Sequence, residues 1–172
     1  MDIWKVNSSY WRLFKEHYYL DLPMPPAAEY FIGTVNGEPV SHLAVCPFFT
    51  SNVYRATRLV TMPEWQGAGV GTKFLNWVME YHAQGNGRCG HKLPTIFHTS
   101  HPQLIAYLTR NPKWILKSQR LFGGNKRASF SSIKKSSTKM SKSEMKFNGG
   151  SGFGGHFRAV QGFKYLGDRG KK

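Results

Sequence analysis

Between Gln66 and Thr72 the chain reads Gln66-Gly67-Ala68-Gly69-Val70-Gly71-Thr72, with glycine on alternate residues. A pyrophosphate needs donors that approach closely and cost little to desolvate. Backbone N–H groups at the start of a helix meet both needs and add roughly half a positive charge. A side chain among them would hold the phosphate off, and Gly67, Gly69 and Gly71 remove that obstruction. Two other phosphate loops do not fit. The nucleoside-triphosphate loop ends in Gly-Lys-Ser or Gly-Lys-Thr, whereas here Thr72 precedes Lys73; the dinucleotide fingerprint needs glycine at position 72. A strand-to-helix turn with no ligand is the plain alternative.

The remaining reactive residue types form no metal or redox pattern. His82, His91, His101 and His156 lack the paired spacing of zinc ligands, so no metal is expected. Cys46 and Cys89 have no near partner, which argues against a disulfide framework and for a reducing compartment. No Cys-His-Asp ordering makes Cys46 a nucleophile, and a small buried hydrophobe is the default for it.

The elements around the turn read clearly. Ser9 to Leu20, with Tyr10, Leu13, Phe14, His17 and Tyr18 on one face, predicts a first helix capped by serine. The prolines from Pro23 to Pro26 break it. Glu29 to Val35 and Glu38 to Phe48 read as strands joined by a tight Asn36-Gly37 turn. A strand over Ala56 to Met62 leads into the glycines. From Val70, Phe74, Leu75, Trp77, Val78 and Tyr81 keep helical spacing until Gly85. Thr95 to Thr99 is a short strand, and Pro102 opens a helix through Arg110 that Asn111-Pro112 ends. Trp114 to Lys117 and Gly162 to Leu166 are candidate closing strands. Residues 120–155 differ in character: rich in Ser, Lys and Gly, they predict a long, mobile, basic insertion with scattered phenylalanines.

At 172 residues, with 40% hydrophobic and 15% aromatic residues, the chain supports one core with decorations. The expected organisation is one domain from 1–119 plus 156–172, interrupted by the insertion. The N-terminus has no export pattern and no run is long enough to span a bilayer, which points to the cytoplasm and away from membranes. Net charge is +15, from 24 basic and 9 acidic residues. A bias of that size attracts polyanions and is weakened by salt. One small anionic cofactor does not require it.

The glycine turn matches the Gln/Arg-x-x-Gly-x-Gly/Ala signature of the GCN5-related N-acetyltransferase (GNAT) family, and Arg58 to Glu80 resembles that family's central strand, loop and helix. The hairpin over Tyr30 to Phe48 is also similar to the family's pattern. The resemblance covers about Glu29 to Trp114. It implies an α+β fold, a mixed sheet splayed at its centre and flanked by helices, with acetyl-CoA entering a V-shaped gap beside Arg58 to Met62. By matched position, Val60, Thr61 and Met62 would serve the pantetheine arm and thioester. Gln66, Gly67, Ala68, Gly69, Val70, Gly71 and Thr72 would serve the phosphates. Lys73 would add charge there or simply face solvent.

Acyl transfer to an amine needs a neutral nucleophile held in attack geometry. Geometry supplies roughly 7–11 kcal/mol, and a positioned base about 10²–10⁴-fold. Neutralising a lysine-like amine at pH 7 costs on the order of 4–5 kcal/mol, so a base or a desolvating pocket helps. His98, His42 and Glu64 are the candidates; the alternatives are satisfied core histidines and a carboxylate resting near a helix N-terminus. The family often places a leaving-group acid seven residues after an asparagine. Ser100 to Tyr107 has that spacing with serine in place of asparagine, which makes Tyr107 the candidate acid.

The acceptor is then an amine, on or near a nucleic acid if the basic insertion steers the enzyme to one. A nucleobase as the acceptor itself would also account for the charge. The reading from another class is a non-catalytic module of the same fold that docks to nucleic acid or to a larger ATPase. Oligomeric state is not legible.

Overall fold

The computed structural model describes residues 1–18, 24–25, 27–120 and 159–167. Seven strands form one mixed sheet in the order β1-β2-β3-β4-β5-β7-β6. They are β1 (Asp2–Val6), β2 (Glu29–Val35), β3 (Glu38–Phe48), β4 (Val53–Thr61), β5 (Thr95–Thr99), β6 (Trp114–Arg120) and β7 (Val160–Tyr165). All neighbours are antiparallel except β4 and β5. Among the described residues there are two α-helices, α1 (Val70–Ala83) and α2 (Pro102–Arg110). This is the α+β arrangement expected for the GNAT fold. Of the basic insertion expected over 120–155, only Arg120 is described, as the last residue of β6; the rest, and His156, lie outside the described residues.

The hairpin forms where Asn-Gly predicts it. Asn36 and Gly37 both take left-handed φ, 51° and 84°, as a two-residue turn matched to strand twist requires. β3 is buried without a break from Val40 to Pro47, because both of its faces are covered. Phe31, Leu43, Val45, Tyr54 and Ala56 pack with Phe74, Leu75, Val78 and Met79 of α1. On the opposite face, Trp11 and Phe14 pack on Ile32 and Val60. Ile32 follows Phe31 in the strand, and alternation sends the two to different sides.

Near the N-terminus the structure adds one element and corrects another. Asp2–Val6, to which the sequence reading assigns no element, is an edge strand, anchored by Trp4 Nε1 donating to Thr34 Oγ1 at 3.1 Å. The helix expected over Ser9 to Leu20 is two 3₁₀ turns, Ser8–Leu13 and Lys15–His17, with Leu20 outside the described residues. Asn7 caps the first by accepting from the Ser9 amide at 2.9 Å. Three residues per turn align side chains at i and i+3, so Trp11 and Phe14 both reach the sheet. Serine and aromatic residues also give little intrinsic helix stability.

Two buried titratable groups tie the sheet together. Glu29, 5% exposed, accepts from Lys5 Nζ, from the Arg88 amide at 2.7 Å and from His82 Nε2 at 3.2 Å. Burial alone would raise its pKa, but the bonds from His82, Lys5 and Arg88 outweigh it and hold it at about 2. His42, wholly buried, is pushed down to about 4 by desolvation, against the opposing effect of its bond to the Arg58 carbonyl.

Both groups make the fold acid-sensitive. His42 stays neutral when folded but protonates below pH 6.5 when unfolded, so its contribution is complete above 6.5 and is lost as pH falls toward 4. At 1.36 kcal/mol per pH unit this is worth about 3 kcal/mol. Glu29 contributes above its ordinary pKa of 4.5 and loses that contribution toward pH 2. Urea midpoints are therefore expected to decline from pH 6.5 downward. A midpoint that stays flat between 6.5 and 4.5 would contradict the His42 assignment.

Candidate active site

β4 and β5 are hydrogen-bonded over three residue pairs only, Tyr54 with Thr95, Arg55 with Ile96 and Ala56 with Phe97. Beyond them β5 continues against β7, through His98 with Gly162 and Thr99 with Gln161, while β4 runs on beside β3. The sheet thus opens as a V with its apex at Ala56 and Phe97.

A bulge sets the opening. His42 faces Val60 and Ala44 faces Thr57, so two steps on β3 span three on β4. Arg58 lies inside the bulge with φ 58°, an uncommon conformation for a side-chain-bearing residue. A bulged strand bends and twists more strongly. The Arg58 carbonyl accepts from His42 Nδ1 at 3.1 Å. That bond places the His42 proton on Nδ1 and leaves Nε2 enclosed without a hydrogen-bond partner. Trp11, Phe14 and Tyr30 surround the ring at 5.0 to 6.3 Å between centroids. Of the candidate bases, His42 is therefore the one placed in the core.

The glycine turn follows at the open end of the V. Val60 and Thr61 end β4 and Met62 follows it, Pro63–Trp65 form a single 3₁₀ turn carrying the exposed Glu64, and Gln66 folds back so that its Nε2 donates to the Thr61 carbonyl at 2.9 Å. Gly67 and Gly69 then take φ of 81° and 77°. Thr72 Oγ1 donates to the Gly69 carbonyl at 2.9 Å, and the Lys73 amide to the same oxygen at 3.0 Å. Among the described residues, no acceptor receives the amides of residues 67 to 72. Six consecutive donors without an acceptor, the first two on exposed residues, fit a bound diphosphate in charge and reach. Gly71 has a second role. A Cβ there would clash with Thr61 Oγ1, so glycine lets α1 begin against the end of β4. Lys73 is exposed on α1.

Tyr107 stands between α1 and α2. Its hydroxyl accepts from Asn76 Nδ2 at 2.7 Å and from Asn111 Nδ2 at 2.8 Å. Neither amide can be turned over. Asn76 Oδ1 accepts the indole N–H of Trp114 at 2.8 Å, and Asn111 Oδ1 accepts the Lys113 amide at 3.0 Å; both partners are donors only. The Tyr107 oxygen therefore receives two hydrogen bonds, and its own hydrogen is left for a third group.

His98 is the first β5 residue past the apex and, by alternation from the core residue Phe97, points to the face away from α1 and α2. Its Nδ1 is buried and has no hydrogen-bond partner, while Nε2 lies 2.7 Å from where a Cβ of Gly162 would be. Burial, then Arg55 and Arg120, push its pKa down to about 4. Sequence spacing brought Tyr107 and His98 forward but not Asn76, Asn111 and Trp114, nor Arg55 and Arg120. These converge from separate elements and leave no local pattern.

Fold and turn together define a class, and sequence comparison identifies it. The chain matches the Acetyltransferase (GNAT) family over residues 2–109 and belongs to that family. Acetyl-CoA is the cofactor of these acetyltransferases. No curated protein matches the sequence. Among solved structures, a variant of spermidine N-acetyltransferase from Vibrio cholerae aligns with a TM-score of 0.61 at 11% identity, covering 100% of this chain and 98% of that one. The ribosomal-protein-S18-alanine N-acetyltransferase from Escherichia coli gives 0.57 at 10%, covering 95% and 92%. A GNAT acetyltransferase from Elizabethkingia anophelis with acetyl-CoA bound gives 0.55 at 10%, covering 95% and 96%. At such identities these likenesses show the fold. Among the described residues, no helix is long and apolar enough to cross a membrane.

Gly71→Ala is expected to push α1 away from Thr61. The cost is that of overpacking a tight contact, about 1–3 kcal/mol, read as a lowered urea midpoint. A variant as stable as the parent would show that α1 does not need that approach.

Proposed function

We propose that this chain transfers the acetyl group of acetyl-CoA to an amine, with the diphosphate held by the amides of residues 67 to 72. The observation that carries this reading is the junction of those unpaired donors with the open V of β4 and β5. Acetyl-CoA, when bound, supplies the activated thioester carbonyl. Among the described residues, no strand pairs with β4 on its β5 side from Thr57 to Thr61, so the strand end at Val60, Thr61 and Met62 is the segment assigned to the pantetheine arm, with the Met62 amide itself held by the Val40 carbonyl at 2.9 Å. Gln66 and Thr72 fix the bend on either side of the glycines.

We assign proton transfer to two side chains. His98 is neutral at physiological pH and, among the described residues, has an unpaired ring nitrogen, so it can accept the proton that the acceptor's ammonium must lose before its nitrogen attacks the thioester carbon. Tyr107 keeps its own hydrogen available and can give it to the departing thiolate. Glu64, exposed at the mouth of the turn, is the alternative base, reached through solvent. The positive charge of the chain supports an acceptor that is itself negative or lies on a negative surface, nucleic acid included.

Saturating acetyl-CoA is expected to raise the melting temperature, since ligand bound only to the native state stabilises it by RT ln(1 + [L]/Kd). Gly69→Asp, which sets a carboxylate among the phosphate donors, should abolish the shift. No shift in the parent protein would remove the cofactor reading and leave the non-catalytic module.

Tyr107→Phe should lower kcat by roughly 10²-fold while leaving that thermal shift intact. Since kcat/KM reports the ionisations of the free enzyme, its acidic limb should fall near pH 4 when His98 is the base. A limb that persists unchanged in His98→Gln would pass the role to Glu64.

A further inference from the structure

Arg55 sits between Tyr54 and Ala56, both packed in the core beneath α1, so its own side chain emerges on the opposite face. It is the β4 partner of Ile96, two residues before His98. Arg55 and His98 thus flank the apex of the V on one face. The guanidinium is partly buried and lies 5.5 Å over the Phe48 ring. Among the described residues no carboxylate meets it; the ionisable groups it senses are Cys46, Tyr18 and Arg58. A half-desolvated cation with no counter-ion is costly, and a ligand oxyanion offsets that cost.

Strands β6 and β7 bring further groups to the same face. Gly162, Ser118 and His98 lie in one row across β5, β7 and β6. A Cβ on Gly162 would strike Ser118 Oγ and would lie 2.7 Å from His98 Nε2, so the absent side chain is what lets these two polar atoms converge. Arg120, two residues beyond Ser118, faces the same way and is exposed. Arg55 and Arg120 are thus the cations that act on His98, and Ser118 lies across Gly162 from it, on the face beside the opening where acetyl transfer would occur.

We propose that Arg55 and Arg120, with Ser118 and His98, form an oxyanion-binding site that takes a carboxylate or phosphate carried by the acceptor next to its amine. The proposal rests on the acetyltransferase reading and narrows its substrate class. Guanidinium is suited to such groups, since its planar fork matches their paired oxygens. The site also disfavours acceptors with several cationic centres. Occupation has a chemical consequence, because a bound oxyanion would offset the two cations that add to burial in holding His98 neutral, and so make it a stronger base once the acceptor is in place. The groups facing His98 are Arg55 from β4 and Arg120 from β6.

Two measurements on the full chain test this. In steady-state assays with acetyl-CoA, lysine is compared with cadaverine and phosphoethanolamine with ethanolamine, with spermidine as the polycationic control. At least one amine that carries an oxyanion should show a KM roughly tenfold or more below its counterpart without one. Arg55→Gln should remove that advantage in KM, and Arg55→Lys should keep part of it. Equal preference in the parent and Arg55→Gln proteins, or spermidine as the best acceptor, would overturn the proposal. The second measurement follows the His98 ring by NMR as inorganic phosphate is added, without acetyl-CoA. Its pKa should rise in the parent and stay put in Arg55→Gln; the same response in both, or none in either, overturns the site. If no amine is acetylated, the transferase reading fails, and the phosphate titration still decides whether the anion site exists.

Discussion

The candidate active site depends on one hydrogen bond and the bulge it holds, the contact from His42 Nδ1 to the Arg58 carbonyl. Inside a sheet every main-chain carbonyl needs a donor, and an extra residue in β4 leaves one without its ladder partner. A buried imidazole supplies that donor and fixes its own tautomer in doing so. Because β4 bends there, its far half parts from β5, and a surface that would have been continuous sheet becomes a cleft with main chain exposed along one wall. His42 therefore contributes to the proposed site by shaping β4 from within the core.

In the proposed reaction, three chemical tasks fall to three directions around that cleft. The glycine turn lies beyond the end of β4, where α1 starts, and presents amide hydrogens and the positive end of the helix. Tyr107 comes from the α2 side, locked between two amides whose orientations are dictated by an indole and by a backbone N–H. His98 comes from the face opposite the helices, in a field set by arginines. Separating phosphate binding, leaving-group protonation and amine deprotonation by element keeps one positive environment from compromising another. It also explains why residues distant in sequence, such as Asn76 and Trp114, meet at a single hydroxyl.

Much of this was legible from the letters, and the limits of legibility are physical. The hairpin was readable because Asn36-Gly37 is a local signal with one good solution. The boundaries of β2, β3 and β5 followed from continuous apolar runs between turn residues, and the pocket turn from glycine placed between a strand and an amphipathic helix. The first strand was missed because Asp2-Ile3-Trp4-Lys5-Val6 lies at a sheet edge, where one side faces solvent and alternation is weak. The N-terminal helix was misjudged because Trp11 and Phe14, three residues apart, suit a 3₁₀ turn as well as an α-helix. The bulge at Arg58 left no trace, since nothing in Thr57-Arg58-Leu59 requires a left-handed residue. Arg55 read as an ordinary strand arginine, and only the meeting of β4, β5, β6 and β7 gives it neighbours.

The placement of β7 between β5 and β6 shapes how the molecule is made. Both flanking strands precede it in the chain, so during synthesis they emerge with open edges while the piece that belongs between them is still unmade. Direct annealing of β5 to β6 is the competing arrangement, and it would have to come apart before the sheet could close. Contacts of such long sequence separation are slow to form. The half of the sheet that carries His98, Ser118 and Arg120 is thus the last to mature, and a ribosome-bound chain can finish its cofactor turn before it has an acceptor face.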